Sequence, residues 1–102
     1  MIGLLDRNEF RAWLEASGNR IVGRTVTETC CPIATFLRRQ KGMKRPWVGI
    51  KDFTIDDLTG PLKRLPAWAT RFICEIDSYG GLAPVKVRAK EALRVLDSIK
   101  AK

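Results

Sequence analysis

Residues 5–18, LDRNEFRAWLEASG, contain the clearest helix signal of the chain and anchor the prediction of its fold. Asp6 and, three residues later, Glu9 form the pattern of a capping box. Gly18 accepts the left-handed conformation that commonly ends a helix. Between these signals, three large apolar side chains recur at i, i+3 and i+4, which places them on one buried face: Phe10, Trp13 and Leu14.

Five more segments have recognisable secondary-structure signals. Apolar residues at helical spacing predict helices over 29–42, with Thr29 as the cap, and over 66–80 and about 87–99. Residues 20–27 are rich in β-branched side chains and are interrupted by Gly23, which indicates an irregular strand or a pair of loops, and the short strand is the preferred interpretation. Residues 46–56 alternate in polarity, which predicts a hairpin that turns at Lys51-Asp52.

These elements predict an α+β fold in one compact domain over residues 1–102, with about four helices packed against a short antiparallel sheet of two or three strands. A chain of 102 residues is too short for two cores. The last three residues are expected to fray. The expected core consists of Phe10, Trp13, Leu14, Phe36, Leu37, Ile50, Phe53, Phe72, Ile73, Ile76, Leu93 and Leu96.

The charge balance is the strongest indication of function. Nineteen Lys and Arg residues stand against eleven Asp and Glu residues, so the formal net charge is +8, with no histidine. Such a field attracts polyanions, of which DNA and RNA are the main candidates.

Residues 37–47, LRRQKGMKRPW, concentrate this charge. If the segment binds nucleic acid, its cations would contact phosphates and Trp47 would stack on an unpaired base. The alternative is the solvated end of a helix, where cations complement the helix dipole, followed by a strand that buries the tryptophan. The candidate cations are Arg38, Arg39, Lys41, Lys44 and Arg45.

A second basic group lies near the C-terminus. If the last helix begins near Val87, then Lys86, Lys90 and Arg94 follow i, i+4, i+8 spacing and line one face, with Arg88 nearby. Cations at a helix start oppose the macrodipole, and a bound phosphate or an acidic partner would offset that cost. The alternative is a solvated face.

The cysteines and the apolar segments limit the remaining classes. Cys30, Cys31 and Cys74 are odd in number and two are adjacent, which is a poor disulfide framework, so buried, reduced thiols are expected. Without histidine, neither a metal site nor an activated nucleophile is predicted. The chain shows no signal-peptide pattern and no apolar run of about 20 residues, so a cytoplasmic protein without membrane contact is expected.

Two functions from different classes follow. The first is a non-catalytic module that binds DNA or RNA through sequence-independent phosphate contacts, without a cofactor. The second is a small adaptor or inhibitor, of phage or mobile-element type, that docks on an acidic surface of a host protein or nucleoprotein complex with an exposed tryptophan as anchor. A homodimer is compatible with both.

Overall fold

The computed structural model describes residues 5–27, 29–44, 46–49, 51–54, 62–78 and 85–99. The elements follow the order α1 (Arg7–Ser17), β1 (Ile21–Arg24), α2 (Pro32–Gln40), β2 (Asp52–Thr54), β3 (Leu62–Arg64), α3 (Ala67–Asp77), β4 (Lys86–Arg88) and α4 (Ala89–Ser98). The strands form two antiparallel pairs, β1 with β4 and β2 with β3. The predicted α+β class is confirmed, although the strands belong to two small sheets rather than one.

Helix α1 confirms the local signals that predict it. The carboxylate of Asp6 accepts the backbone N–H of Glu9 at 3.0 Å, which caps the first turn. Gly18 ends the helix with φ 62°. Glu9 does not complete the predicted capping box among the described contacts, because its side chain pairs with Lys41 of α2 instead.

The core is built around one phenyl ring. Phe10 is fully buried, and its ring lies 5.2 Å from that of Phe72 and 5.3 Å from that of Phe36, both edge to face. Trp13 and Trp68 complete the cluster, with ring centroids 6.0 and 5.7 Å from that of Phe10. Aromatic pairs in this geometry stabilise beyond the area they bury. Three helices, α1, α2 and α3, therefore meet at Phe10.

Most of the expected core is confirmed. All of its residues that the structure describes are buried except Leu93, which packs half-buried against the core. Ile50 lies outside the described residues. Beyond that set, the core also contains several small or β-branched side chains: Val22, Ala34, Ala69, Val87, Ala89, Ala92 and Val95.

Two predicted helix starts are wrong. Helix α2 begins at Pro32, and the cap is Cys31 rather than Thr29, with the Sγ of Cys31 accepting the N–H of Ala34 at 3.4 Å. The reason is that helical geometry is unfavourable for the residue before a proline, and Cys31, which precedes Pro32, is extended. The last helix begins at Ala89 rather than near Val87, because residues 86–88 pair with β1.

The predicted hairpin over 46–56 is correct in part. Val48 pairs with Phe53 as an isolated antiparallel bridge, and the N–H of Gly49 donates to the carbonyl of Asp52 at 2.8 Å. The hydrogen bond that closes the turn therefore joins Gly49 to Asp52, so the turn does not centre on Lys51-Asp52. Residues 52–54 then pair with β3, a strand that the sequence pattern did not predict.

Candidate nucleic-acid interface

Strands β1 and β4 form a two-stranded ribbon whose outer face is cationic. In its register Arg24 pairs with Lys86, and Ile21 pairs with Arg88. Directly paired residues of antiparallel strands project from the same side. All four are exposed, whereas Val87 between the two cations of β4 is buried against the core. The ribbon therefore presents three cations and one isoleucine on one face.

Helix α4 continues this surface without a connecting loop. Lys90 and Arg94 are one turn apart and both are exposed. The next exposed residue along the stripe is Asp97, which Arg11 of α1 neutralises through contacts of 2.8 and 3.0 Å. That hydrogen bond from Arg11 lowers the pKa of Asp97. We define the β4–α4 patch as Arg24, Lys86, Arg88, Lys90 and Arg94.

The single helical face predicted for Lys86, Lys90 and Arg94 is wrong for Lys86. Lys86 lies in β4, where β-branched neighbours favour the strand and β1 supplies the pairing partner. The expected charge conflict at the helix start remains, since Arg88 is the N-cap and Lys90 lies in the first turn. Glu91 moderates it by accepting the N–H of Arg88 at 3.1 Å.

The first basic segment is divided by its contacts. Lys41 pairs with both carboxylate oxygens of Glu9, at 2.7 and 2.9 Å, so it acts as a tether between α2 and α1. Arg38 donates to the carbonyl of Thr29 at 3.1 Å. Arg39 and Lys44 are exposed, and Arg45 lies outside the described residues.

The two basic groups lie at opposite ends of α1. Lys41 contacts Glu9 in the first turn of the helix, whereas Arg88 donates to the carbonyl of Asn19, just beyond its last turn, at 2.9 Å. Ten residues of helix correspond to about 15 Å. One short contact surface therefore does not contain both groups.

Trp47 has a restricted position. It is half-buried, and its backbone N–H donates to the hydroxyl of Thr54 at 3.0 Å. A Cβ added to Gly49 would lie 2.7 Å from the Cη2 atom of the Trp47 ring, so the indole packs against the backbone there. Stacking of Trp47 on a base stays a prediction, with part of the ring already covered.

The cysteines do not share one environment. Cys31 is buried, and burial raises the pKa of its thiol to about 11, which outweighs the lowering by N–H groups of the first helical turn. Cys30 and Cys74 are exposed, so the expectation that these thiols are buried is wrong. Cys74 follows Ile73 in sequence, but it falls on the outer face of α3.

Sequence reasoning assigned no binding role to four exposed cations that the structure places in distinctive positions. Arg24 joins the β4–α4 patch only through strand pairing, which spans more than sixty residues of sequence. Lys51, Arg64 and Arg71 line one groove beside α3. Because these three residues are well separated in the sequence, the sequence does not indicate that they lie together.

Further features limit the chemistry of the described part of the chain. No group of three or more acidic or cysteine side chains there could hold a metal ion. Its helices are all too short or too polar to cross a bilayer. The chain matches no known protein family, no curated protein and no solved structure.

Proposed function

We propose that the protein is a non-catalytic nucleic-acid-binding module that contacts phosphate backbones through the β4–α4 patch. The observation that carries the proposal is the register of the ribbon, which sets Arg24 beside Lys86 and places Arg88 on the same face. Like charges in directly opposed positions destabilise a sheet, and a polyanion would relieve that repulsion.

The dimensions of the ribbon support this proposal. Lys86 and Arg88 are two residues apart in an extended strand, which corresponds to about 7 Å. Successive phosphates of one nucleic-acid strand rise by about 3.4 Å along the duplex axis, and they lie farther apart than this because the backbone also winds around the axis. The two cations are therefore spaced to contact phosphates of the same strand, while Arg24 lies across the ribbon from Lys86.

The charges of this patch are also available for contact. Within the described residues, the ion pairs to carboxylates are made by Arg11 and Lys41, and none is made by a residue of the β4–α4 patch. The Arg88 guanidinium donates one N–H to the carbonyl of Asn19, which orients it but leaves its charge uncompensated. The first basic segment, by contrast, loses Lys41 to Glu9.

The test is fluorescence anisotropy with labelled single- and double-stranded DNA and RNA between about 50 and about 200 mM salt. The double variant Arg24→Gln/Lys86→Gln is compared with Arg39→Gln/Lys44→Gln, which removes the same charge at the other end of α1. Loss of two phosphate contacts should reduce the slope of log K against log salt by about 1.8 on duplex DNA.

Only the first double variant is expected to show that reduction. Equal effects of the two variants would mean that net charge, and not the patch, attracts the polyanion. No binding by the folded wild-type protein would overturn the proposal.

The adaptor function is the second candidate, and one observation favours it. Three aliphatic side chains beside the patch, Ile21, Val26 and Val85, are 40 to 43% exposed. Cations bordered by apolar side chains suit an acidic protein surface. The adaptor hypothesis also expects an exposed tryptophan as anchor, and Trp13 and Trp68 do not fit that role because both are buried. Ile21→Ser, which leaves every charge in place, would weaken a protein complex but not phosphate contact.

A further inference from the structure

An open groove of about 470 Å3 lies between the antiparallel pair of strands β2 and β3 and the first turns of α3. Two of its walls are held together by the N–H of Leu65, which donates to the carbonyl of Lys51 at 2.7 Å. The groove, which we call the α3 groove, shares no residue with the β4–α4 patch. Its lining consists of Lys51, Arg64, Leu65, Ala67, Thr70 and Arg71.

Three cations from three different parts of the fold converge on this groove. Lys51 precedes β2, Arg64 ends β3 and Arg71 lies in the second turn of α3, and all three are exposed. None of them forms an ion pair with a carboxylate of the described residues. Like charges gathered in a concave surface raise the local potential and attract an anion.

The groove also offers hydrogen-bond donors that are not charged. The half-buried Thr70 contributes a hydroxyl to the lining. Ala67 opens α3, and its N-cap, Pro66, has no side-chain acceptor. The Pro66 carbonyl accepts the N–H groups of Ala69 and Thr70, at 3.0 and 3.2 Å, but the N–H of Ala67 has no partner among the described residues. These donors add to the cations and, like them, suit an oxyanion.

A second groove continues from the first along α3. It has a volume of about 610 Å3 and includes Thr70 and Arg71 again, together with Cys74, Glu75, Ser98 and Ile99. Arg71 thus stands between a cationic compartment and one with apolar walls and a carboxylate. A phosphate in the first compartment leaves room in the second for an organic group attached to it.

We propose that the α3 groove binds a phosphate monoester, with the phosphate held by Arg64, Arg71 and Lys51 and the esterified group lying toward Cys74. Arginine suits this role because its planar fork donates two parallel N–H groups to two phosphate oxygens. The monoester is either the terminal phosphate of a nucleic acid or a free phosphorylated small molecule. The site is independent of the proposed backbone contacts, since it uses other residues.

The experiment is an NMR titration of the 15N-labelled full chain at a constant ionic strength of about 0.15 M, so that screening does not change. The probes are inorganic phosphate, a nucleoside 5′-monophosphate, and a tetranucleotide with either a 5′-phosphate or a 5′-hydroxyl. Saturable shifts in the amides of 67–71 are expected with both phosphorylated nucleotides. A preference for the 5′-phosphorylated tetranucleotide identifies a nucleic-acid end, and a preference for the mononucleotide a small ligand.

Variants of Arg71 and the protection of Cys74 from alkylation test whether the ligand binds in the α3 groove. Arg71→Gln is expected to weaken binding at least about tenfold and Arg71→Lys less, whereas the control Arg39→Gln, which removes an exposed cation outside both the groove and the β4–α4 patch, should leave it unchanged. The bound nucleotide should also slow alkylation of Cys74 while the exposed Cys30 reacts as before. Absence of saturable shifts, or equal weakening by Arg71→Gln and Arg39→Gln in variants with native spectra, would overturn the proposal.

Discussion

Lys41 and Glu9 form a two-oxygen ion pair that joins the end of α2 to the beginning of α1, with the Lys41 Nζ 2.7 and 2.9 Å from the carboxylate oxygens. The Lys41 side chain is only 20% exposed. A cation held in this way serves the packing of the two helices. The cations of residues 37–47 look equivalent in the sequence. Among them, Lys41 is therefore expected to stabilise the fold rather than to bind a ligand.

Lys41→Gln is therefore expected to lower the free energy of unfolding by roughly 0.5 to 1 kcal/mol, since it breaks a partly shielded pair. Its effect on nucleic-acid affinity should be no larger than that of Arg39→Gln, which removes an exposed cation and should leave stability unchanged within about 0.5 kcal/mol. Urea unfolding and anisotropy measure the two quantities. Weaker binding by Lys41→Gln than by Arg39→Gln would show that Lys41 contacts the ligand.

Local signals predict α1 because its cap, its apolar spacing and its terminal glycine all lie within residues 5–18. The β1–β4 ribbon is different, because its two strands are short and are paired only through the folded chain. Cations at 86, 90 and 94 satisfy a helical spacing without being on one helix, since surface charges are compatible with either structure. The burial of Val87 favours a strand over a helix at residues 86–88, and that burial depends on pairing with β1.

The candidate sites also differ in whether their residues are close together in the sequence or are brought together only by the fold. The sequence identifies Arg88, Lys90 and Arg94 as a basic group, because these residues are close in the chain. It does not reveal Arg24, nor the groove around Arg71, because their neighbours come from other elements. The partner of Lys41 is equally distant, on another helix.

Val26 is held in a left-handed conformation, with φ 54°, and its N–H donates to the carboxylate of Asp77 at 2.8 Å. This conformation is unfavourable for a β-branched residue, whereas glycine adopts it freely. Val26→Gly is expected to raise the free energy of unfolding by about 1 kcal/mol. The control Val85→Gly, at a residue of similar exposure without positive φ, should lower it by about 0.5 to 1 kcal/mol. Thermal unfolding of both variants measures this, and a destabilised Val26→Gly would contradict the assignment of strain.

The thiols should differ in reactivity. Cys30 and Cys74 are exposed, whereas Cys31 is buried with a pKa raised to about 11. Because the thiolate is the reactive form, a disulfide reagent at neutral pH should modify two thiols in the native protein and three after denaturation. Mass spectrometry of the labelled peptides identifies them. Rapid native labelling of Cys31 would mean that α2 opens readily at its first turn.

The buried thiol also predicts a loss of stability in alkali. In the unfolded chain the Cys31 thiol ionises near the ordinary cysteine pKa of 9.0, whereas in the folded chain it stays protonated up to about 11. Between these values the unfolded state binds fewer protons, so stability is full below pH 9.0 and falls as the pH rises through 11. The loss should reach about 3 kcal/mol relative to Cys31→Ala. Urea unfolding at several pH values measures it, and parallel curves for the two proteins would contradict it.

Gly23 of β1 lies close to the backbone at the beginning of α2. A Cβ there would lie 2.6 Å from the carbonyl oxygen of Cys30 and 2.7 Å from the backbone nitrogen of Pro32. Because both obstacles are main-chain atoms, relief requires α2 to move away from the ribbon, although the N–H of Arg24 donates to that same Cys30 carbonyl at 2.8 Å. Gly23→Ala is therefore expected to destabilise the protein by at least about 2 kcal/mol.

Gly42→Ala is the matched control, since Gly42 has positive φ but no atom of the described part of the chain within 4 Å of an added Cβ. It should cost only about 1 kcal/mol, the effect of the left-handed backbone alone. Equilibrium unfolding in urea compares the two. If Gly23→Ala were no worse than Gly42→Ala, β1 would not be packed against the beginning of α2 as described.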